Sequence, residues 1–120
     1  MARVLVAEDS LSMRALIKST LEANGYEVVA VCDGQEGLNF AKEEAVDLVI
    51  TDVNMPNMDG LTLIGKLREL PKYRHTPILV LTTEVANEKC DIARKAGASG
   101  WMVKPFDPIQ LSSIVKRFVD

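Results

Sequence analysis

The 120-residue sequence predicts a doubly wound α/β domain, a five-stranded parallel sheet with helices on both faces. Short β-branched apolar runs alternate five times with amphipathic segments of helix length. The runs are continuously apolar rather than alternating, the pattern of strands buried on both faces. Stop and cap signals fall at the junctions.

The strand-like runs are Val4–Ala7, Val28–Val31, Leu48–Thr51, Ile78–Thr82 and Trp101–Val103. After the first, Met13, Leu16, Ile17, Leu21 and Asn24 share one helical face, and Asn24-Gly25 is a stop signal. After the second, Asp33 and Glu36 have capping-box spacing and open a helix carrying Leu38 and Ala41. The third helix holds Leu61, Ile64, Leu67 and Leu70, and Pro71 ends it. The fourth carries Val85, Ile92, Ala93 and Ala96 and stops at Gly97. In the fifth, Asp107 caps, Pro108 suits the first position, and Leu111, Ile114, Val115, Phe118 and Val119 form a stripe. Short loops and right-handed crossovers then favour a flavodoxin-like strand order, 2-1-3-4-5, in a single domain spanning 1–120.

Composition excludes several function classes. About half the residues (48%) are apolar and 26% charged, as in ordinary globular domains. Net charge is −3 and no basic cluster stands out, which argues against nucleic acid as a direct partner. No apolar run approaches a membrane span, so no membrane is expected. Cys32 and Cys90 form no CxxC pair and read as free thiols of a reducing cytoplasm. Met1-Ala2-Arg3 runs directly into a strand, so no signal peptide is expected.

Parallel strands end on one edge of the sheet, where ligands of such folds bind. Glu8 and Asp9 follow the first strand, Asp52 the third, Thr82 ends the fourth with Thr83 after it, and Lys104 follows the fifth. Singly, each has an ordinary reading: a cap for Asp9 or Ser10, a strand former for Thr82, a solvated loop residue for Lys104. Together they place three carboxylates, a hydroxyl and an ammonium at one edge. Clustered carboxylates repel, so some must protonate or a cation must join them. Hard oxygen donors suit Mg²⁺, and a metal with a lysine beside a carboxylate suits formation of an aspartyl phosphate.

Four segments carry a resemblance to the response-regulator receiver family that covers the whole chain. They are Val4-Leu5-Val6-Ala7-Glu8-Asp9-Ser10, the run from Asp52 through Asn54, Met55, Pro56 and Asn57 to Asp59-Gly60, Leu81-Thr82-Thr83-Glu84, and the run from Lys95 to Phe106. The resemblance implies that Asp52 accepts a phosphoryl group. It implies Mg²⁺ (or Mn²⁺) held by the side chains of Asp9 and Asp52, the backbone carbonyl of Asn54, and Glu8 through water. Thr82 and Lys104 would meet the phosphoryl group, with the Lys104–Pro105 bond cis. Trp101 takes the aromatic switch position, where Tyr or Phe is usual. Glu8-Asp9 stands where Asp-Asp is commoner. Asn54 and Glu84 are positions that tune phosphoryl lifetime, and the pair resembles that of the chemotaxis regulators.

The resemblance also implies partners. These are the phosphotransfer domain of a histidine kinase, an output target such as a flagellar motor switch, and a phosphatase that resets the signal, with the chain a cytoplasmic monomer. The only catalysis implied is self-phosphorylation from a donor and autodephosphorylation. The expected output surface is the fourth helix, fifth strand and fifth helix, with Lys89, Arg94, Lys95, Trp101, Lys116 and Arg117. A relay or phosphate sink without motor output is the alternative within the family. A haloacid-dehalogenase-type phosphatase needs a second Asp two residues after the nucleophile, where this chain has Asn54. A flavin-phosphate module would need a small-residue loop where Glu8-Asp9 would repel the phosphate. His75 reads as a surface loop residue, and Met55 and Met58 as shaping the loop after Asp52.

Overall fold

The structure, a computed structural model, describes residues 2–83 and 87–119, and of 87–90 only the backbone. Glu84 and Val85 therefore lie outside the described residues, as do the side chains of Lys89 and Cys90. Among the described residues ten elements follow the predicted alternation, with a 3₁₀ turn added after the third helix: β1 (Arg3–Ala7), α1 (Leu11–Ala23), β2 (Glu27–Val31), α2 (Gly34–Glu43), β3 (Leu48–Asp52), α3 (Gly60–Glu69), the 3₁₀ turn (Pro71–Tyr73), β4 (Ile78–Thr82), α4 (Asn87–Ala96), β5 (Gly100–Val103) and α5 (Pro108–Phe118). All strand pairs are parallel, and the order is β2-β1-β3-β4-β5.

The strand interiors divide the core by the two-residue alternation of side chains. Val4, Val6, Leu48, Ile50, Leu79, Leu81 and Met102 face α1 and α5, meeting Ile17, Leu21, Leu111 and Val115. Leu5, Ala7, Val49, Ile78 and Val80 face the other way, against Leu38 and Ala41 of α2, Leu63, Ile64 and Leu67 of α3, and Ala93 of α4. β3 and β4 are buried at every residue, which accounts for their apolar runs Leu48–Ile50 and Ile78–Leu81. Burying each large side chain contributes roughly 1.5–3 kcal/mol.

Side-chain caps start four helices. Ser10, Asp33, Asp59 and Asp107 accept from the amides of Met13, Glu36, Thr62 and Gln110. Among the described residues only Asp107–Gln110 completes the reciprocal box. At α2 the expected return arm goes elsewhere: Glu36 accepts from the Cys32 amide at 2.9 Å, one residue before the cap. Ile92, expected on the packed face of α4, is 48% exposed, and Asn24 is an exposed C-cap whose amide donates to Ser112 on α5.

Arg68 carries no local sequence signal for its role. Its guanidinium donates to the carbonyls of Tyr73 (2.5 Å), Thr76 (2.7 Å) and Gly97 (2.8 Å). It thereby ties the end of α3 to the approach to β4 and to the residue after α4. Burial among these carbonyls lowers its pKa.

Candidate functional site

The polar cluster is built by continuing the strand ladders. The Glu8 amide donates to Val31, the Val53 amide to Leu81, and the Lys104 amide to Thr82. These bonds extend each ladder one residue past its strand. Gly60 closes the loop after β3 through its amide on the Val53 carbonyl at 2.8 Å. A Cβ there would lie 2.0 Å from the Asp52 carbonyl oxygen, so the α3 start approaches the acidic strand end only because residue 60 is glycine.

Glu8, Asp9 and Asp52 each bring one carboxylate oxygen to within 4.8 Å of the others. Their environments differ. Glu8 is fully buried, Asp52 nearly so, and Asp9 is exposed. Lys104 bridges the two buried acids, with Nζ 2.7 Å from Glu8 and 3.0 Å from Asp52. The other Glu8 oxygen accepts from the Ser10 amide at 3.1 Å, and Asp52 also accepts from its neighbour's Val53 amide at 2.8 Å. The extra methylene of Glu8 thus reaches the lysine directly. Arg14 of α1 donates to the Glu8 carbonyl at 2.8 Å and braces the same turn.

Burial pushes the Glu8 carboxyl above its ordinary range, although Lys104 and the Ser10 amide oppose the shift. Burial alone would lower the Lys104 ammonium. Its hydrogen bonds to Glu8 and Asp52 together outweigh burial and hold it above the usual lysine value.

Thr82 is buried at the end of β4, at the same edge. Asn54 is exposed on the loop after β3, and the Lys104–Pro105 bond is cis. Trp101 pairs with Val80 across the β4–β5 ladder, so Trp101 and Thr82 lie on the same sheet face, the one covered by α2, α3 and α4. The indole is half-buried, and the Arg94 guanidinium lies 5.0 Å from its ring centroid. Arg94, Lys95, Lys116 and Arg117 are exposed. The structure brings Glu8, Asp9, Asp52, Thr82 and Lys104 to one edge, while the Glu8–Lys104 contact and the brace from Arg14 left no mark in the sequence.

Hard oxygen donors around a strand end fit a divalent cation such as Mg²⁺. One exposed and two buried carboxylates with a single ammonium leave negative charge that a cation would offset. Among the described residues no helix is long and apolar enough to cross a membrane.

The chemotaxis protein CheY homolog of Campylobacter jejuni is 42% identical over 108 residues, covering 88% of this chain and 83% of that protein. The response regulator protein FleR of Pseudomonas aeruginosa is 40% identical over 116 residues, but the chain spans only 24% of its length. Among solved structures, the chemotaxis response regulator CheY4 of Vibrio cholerae superposes with a TM-score of 0.96 at 43% identity, covering 99% of each chain. The model of the response regulator receiver domain matches residues 4–116, and the chain belongs to that family.

Proposed function

We propose that the chain is a phosphorylation-driven switch of two-component signalling, in which Asp52 takes a phosphoryl group from a histidine kinase and the product binds a target protein. The observation that supports this best is the placement of Asp52 beside Lys104 and two further acids, at the edge of a parallel sheet where ligands enter. An Asp52 oxygen would form the new bond to phosphorus as the phosphohistidine P–N bond breaks. Lys104 would pair with the transferred group, and Thr82 would meet it from the end of β4.

Asp9, Asp52 and the Asn54 carbonyl would hold Mg²⁺ or Mn²⁺, with Glu8 behind them. The cation would supply charge neutralisation for a dianionic phosphoryl group approaching carboxylates. Similarity to the chemotaxis regulators of C. jejuni and V. cholerae supports an output in chemotaxis, on a motor-switch-like target, and a cytoplasmic setting. The proposed docking surface is α4, β5 and α5, with Arg94, Lys95, Lys116 and Arg117 around Trp101. Incubation with acetyl phosphate should phosphorylate the chain only when a divalent metal is present, read by intact mass. Equal labelling in excess chelator, or none with metal, would overturn the reading.

Trp101 should report the switch. If Thr82 moves toward a phosphoryl oxygen, it vacates space on the face it shares with the indole, which can then pack inward. Even part of the burial energy of a large aromatic, on the order of 1.5–3 kcal/mol, biases a two-state equilibrium. The chain has one tryptophan, so emission reads this position alone. Beryllofluoride with Mg²⁺ is expected to change its emission or acrylamide quenching, and Thr82→Ala to blunt the change. Identical spectra at confirmed saturation would reject the coupling.

A further inference from the structure

We infer that Asp33 and Asn57 form a positioning pair that sets the loop after β3, and through it the affinity of the acidic site for a divalent cation; the inference rests on the metal-binding reading of that site.

Asp33 lies outside the cluster, at the start of α2, and is buried despite its charge. One of its oxygens caps α2, accepting from the Glu36 amide at 2.8 Å. A serine or asparagine would cap as well, with less charge to desolvate. The second oxygen accounts for the carboxylate: it accepts from Asn57 Nδ2 at 2.7 Å, across 24 residues of sequence. These two bonds hold the Asp33 carboxyl below its ordinary range, the cap contributing most.

Asn57 has φ 66°, in the left-handed region that Asn occupies more readily than most residues. A second tie runs alongside. The Gly34 amide donates to the Met58 carbonyl at 3.1 Å, and a Cβ on Gly34 would lie 2.5 Å from that oxygen. The loop is thus held to the start of α2 at residues 57 and 58 and, through Gly60, to Val53 just past β3. Asn54, proposed to present a backbone carbonyl to the metal, lies between Asp52 and these ties. Neither Asp33 nor Asn57 needs to touch the ion. They act by fixing the path of the backbone that does, as groups behind metal ligands commonly do.

Magnesium titration calorimetry and amide hydrogen exchange of residues 53–59, on the full chain, test the pair. Asp33→Ser keeps an oxygen for the cap but offers none to Asn57, and Asn57→Ala removes the bond. Each is expected to weaken Mg²⁺ binding about tenfold and to speed exchange in the loop. The double exchange Asp33→Asn with Asn57→Asp restores a donor facing an acceptor, with the cap intact and net charge unchanged. It should return affinity to within about threefold of wild type, because the two sites share one interaction. Asn57→Asp alone sets two carboxylates against each other and should stay weak. Single variants with wild-type affinity and exchange would overturn the pair, as would a double variant no better than Asn57→Asp alone. Wild-type protein that bound no Mg²⁺ would remove the metal reading, and the exchange rates would still decide whether the pair orders the loop.

Discussion

Asp52→Asn should abolish phosphoryl transfer to the chain while the fold survives. The carboxylate ends β3 with both neighbouring strands in place, and the asparagine is nearly isosteric. Its oxygen can still accept from the Val53 amide, which Asp52 does at 2.8 Å. Its amide would face the Lys104 ammonium, now 3.0 Å from Asp52, so two donors oppose each other there. Lys104 retains Glu8 at 2.7 Å, and loss of a charge near Glu8 relieves repulsion. The net change in stability should therefore stay within about 1 kcal/mol. Reactivity has no such compensation, because a neutral amide cannot replace the carboxylate as nucleophile. Labelling by acetyl phosphate should fall at least about a hundredfold. Intact mass after timed incubation, with circular dichroism of the same sample, separates the two effects. Undiminished labelling of a folded Asp52→Asn protein would move the acceptor elsewhere.

The contrast between what the sequence revealed and what it concealed follows from how each contact is encoded. Buried parallel strands need unbroken apolar runs, so β3 and β4 were visible as Leu48–Thr51 and Ile78–Thr82, with Asp52 one residue beyond the first. Parallelism then carries Glu8, Asp9, Asp52, Thr82 and Lys104 to one edge without knowledge of any contact. Side chains that bond across loops leave no such trace. No sequence pattern marks Arg68, yet it collects carbonyls from Tyr73 to Gly97. Asp33 was legible as a cap, because capping is local, while its bond to Asn57 was not. Glu36 had box spacing but turned to Cys32, since a free amide lay within reach there. Periodicity placed Ile92 on a packed face of α4, but a helix covering a sheet margin buries a narrower stripe, and Ala93 alone of the two is buried.

Lys104→Ala should cost the most stability of any change in the acidic cluster, about 3–5 kcal/mol near neutral pH, because it strands a buried charge. Glu8 is fully buried, and without the lysine only the Ser10 amide at 3.1 Å remains to stabilise its ionised form. Its carboxyl, already pushed up by burial, must rise further. A carboxyl with a folded pKa above its unfolded 4.5 binds more protons in the native state between the two values. Stability then falls as pH rises through that window. The lysine's own contribution runs in the same direction, at higher pH. Its pKa is raised above 10.5 in the fold, so its stabilisation is present at every pH below that and is lost as pH rises through the folded value. The gap between wild type and Lys104→Ala should therefore be small near pH 4.5 and widen toward neutrality. Adding Glu8→Gln to Lys104→Ala should flatten the slope and recover most of the loss, because no buried charge remains. Urea midpoints across a pH series measure all three proteins. A gap that ignores pH, or that survives Glu8→Gln unchanged, would show that Lys104 acts by packing alone. Signalling should fail differently from chemistry. Asp52 keeps its nucleophile, so Lys104→Ala should still accept phosphate. The lysine follows β5 directly, three residues beyond Trp101, with its amide on the Thr82 carbonyl at 2.7 Å. With the ammonium gone, an arriving phosphoryl group loses its link to that strand, and the Trp101 emission change should be lost with it. A phosphorylated Lys104→Ala protein that binds its partner as wild type does would remove the lysine from the switch.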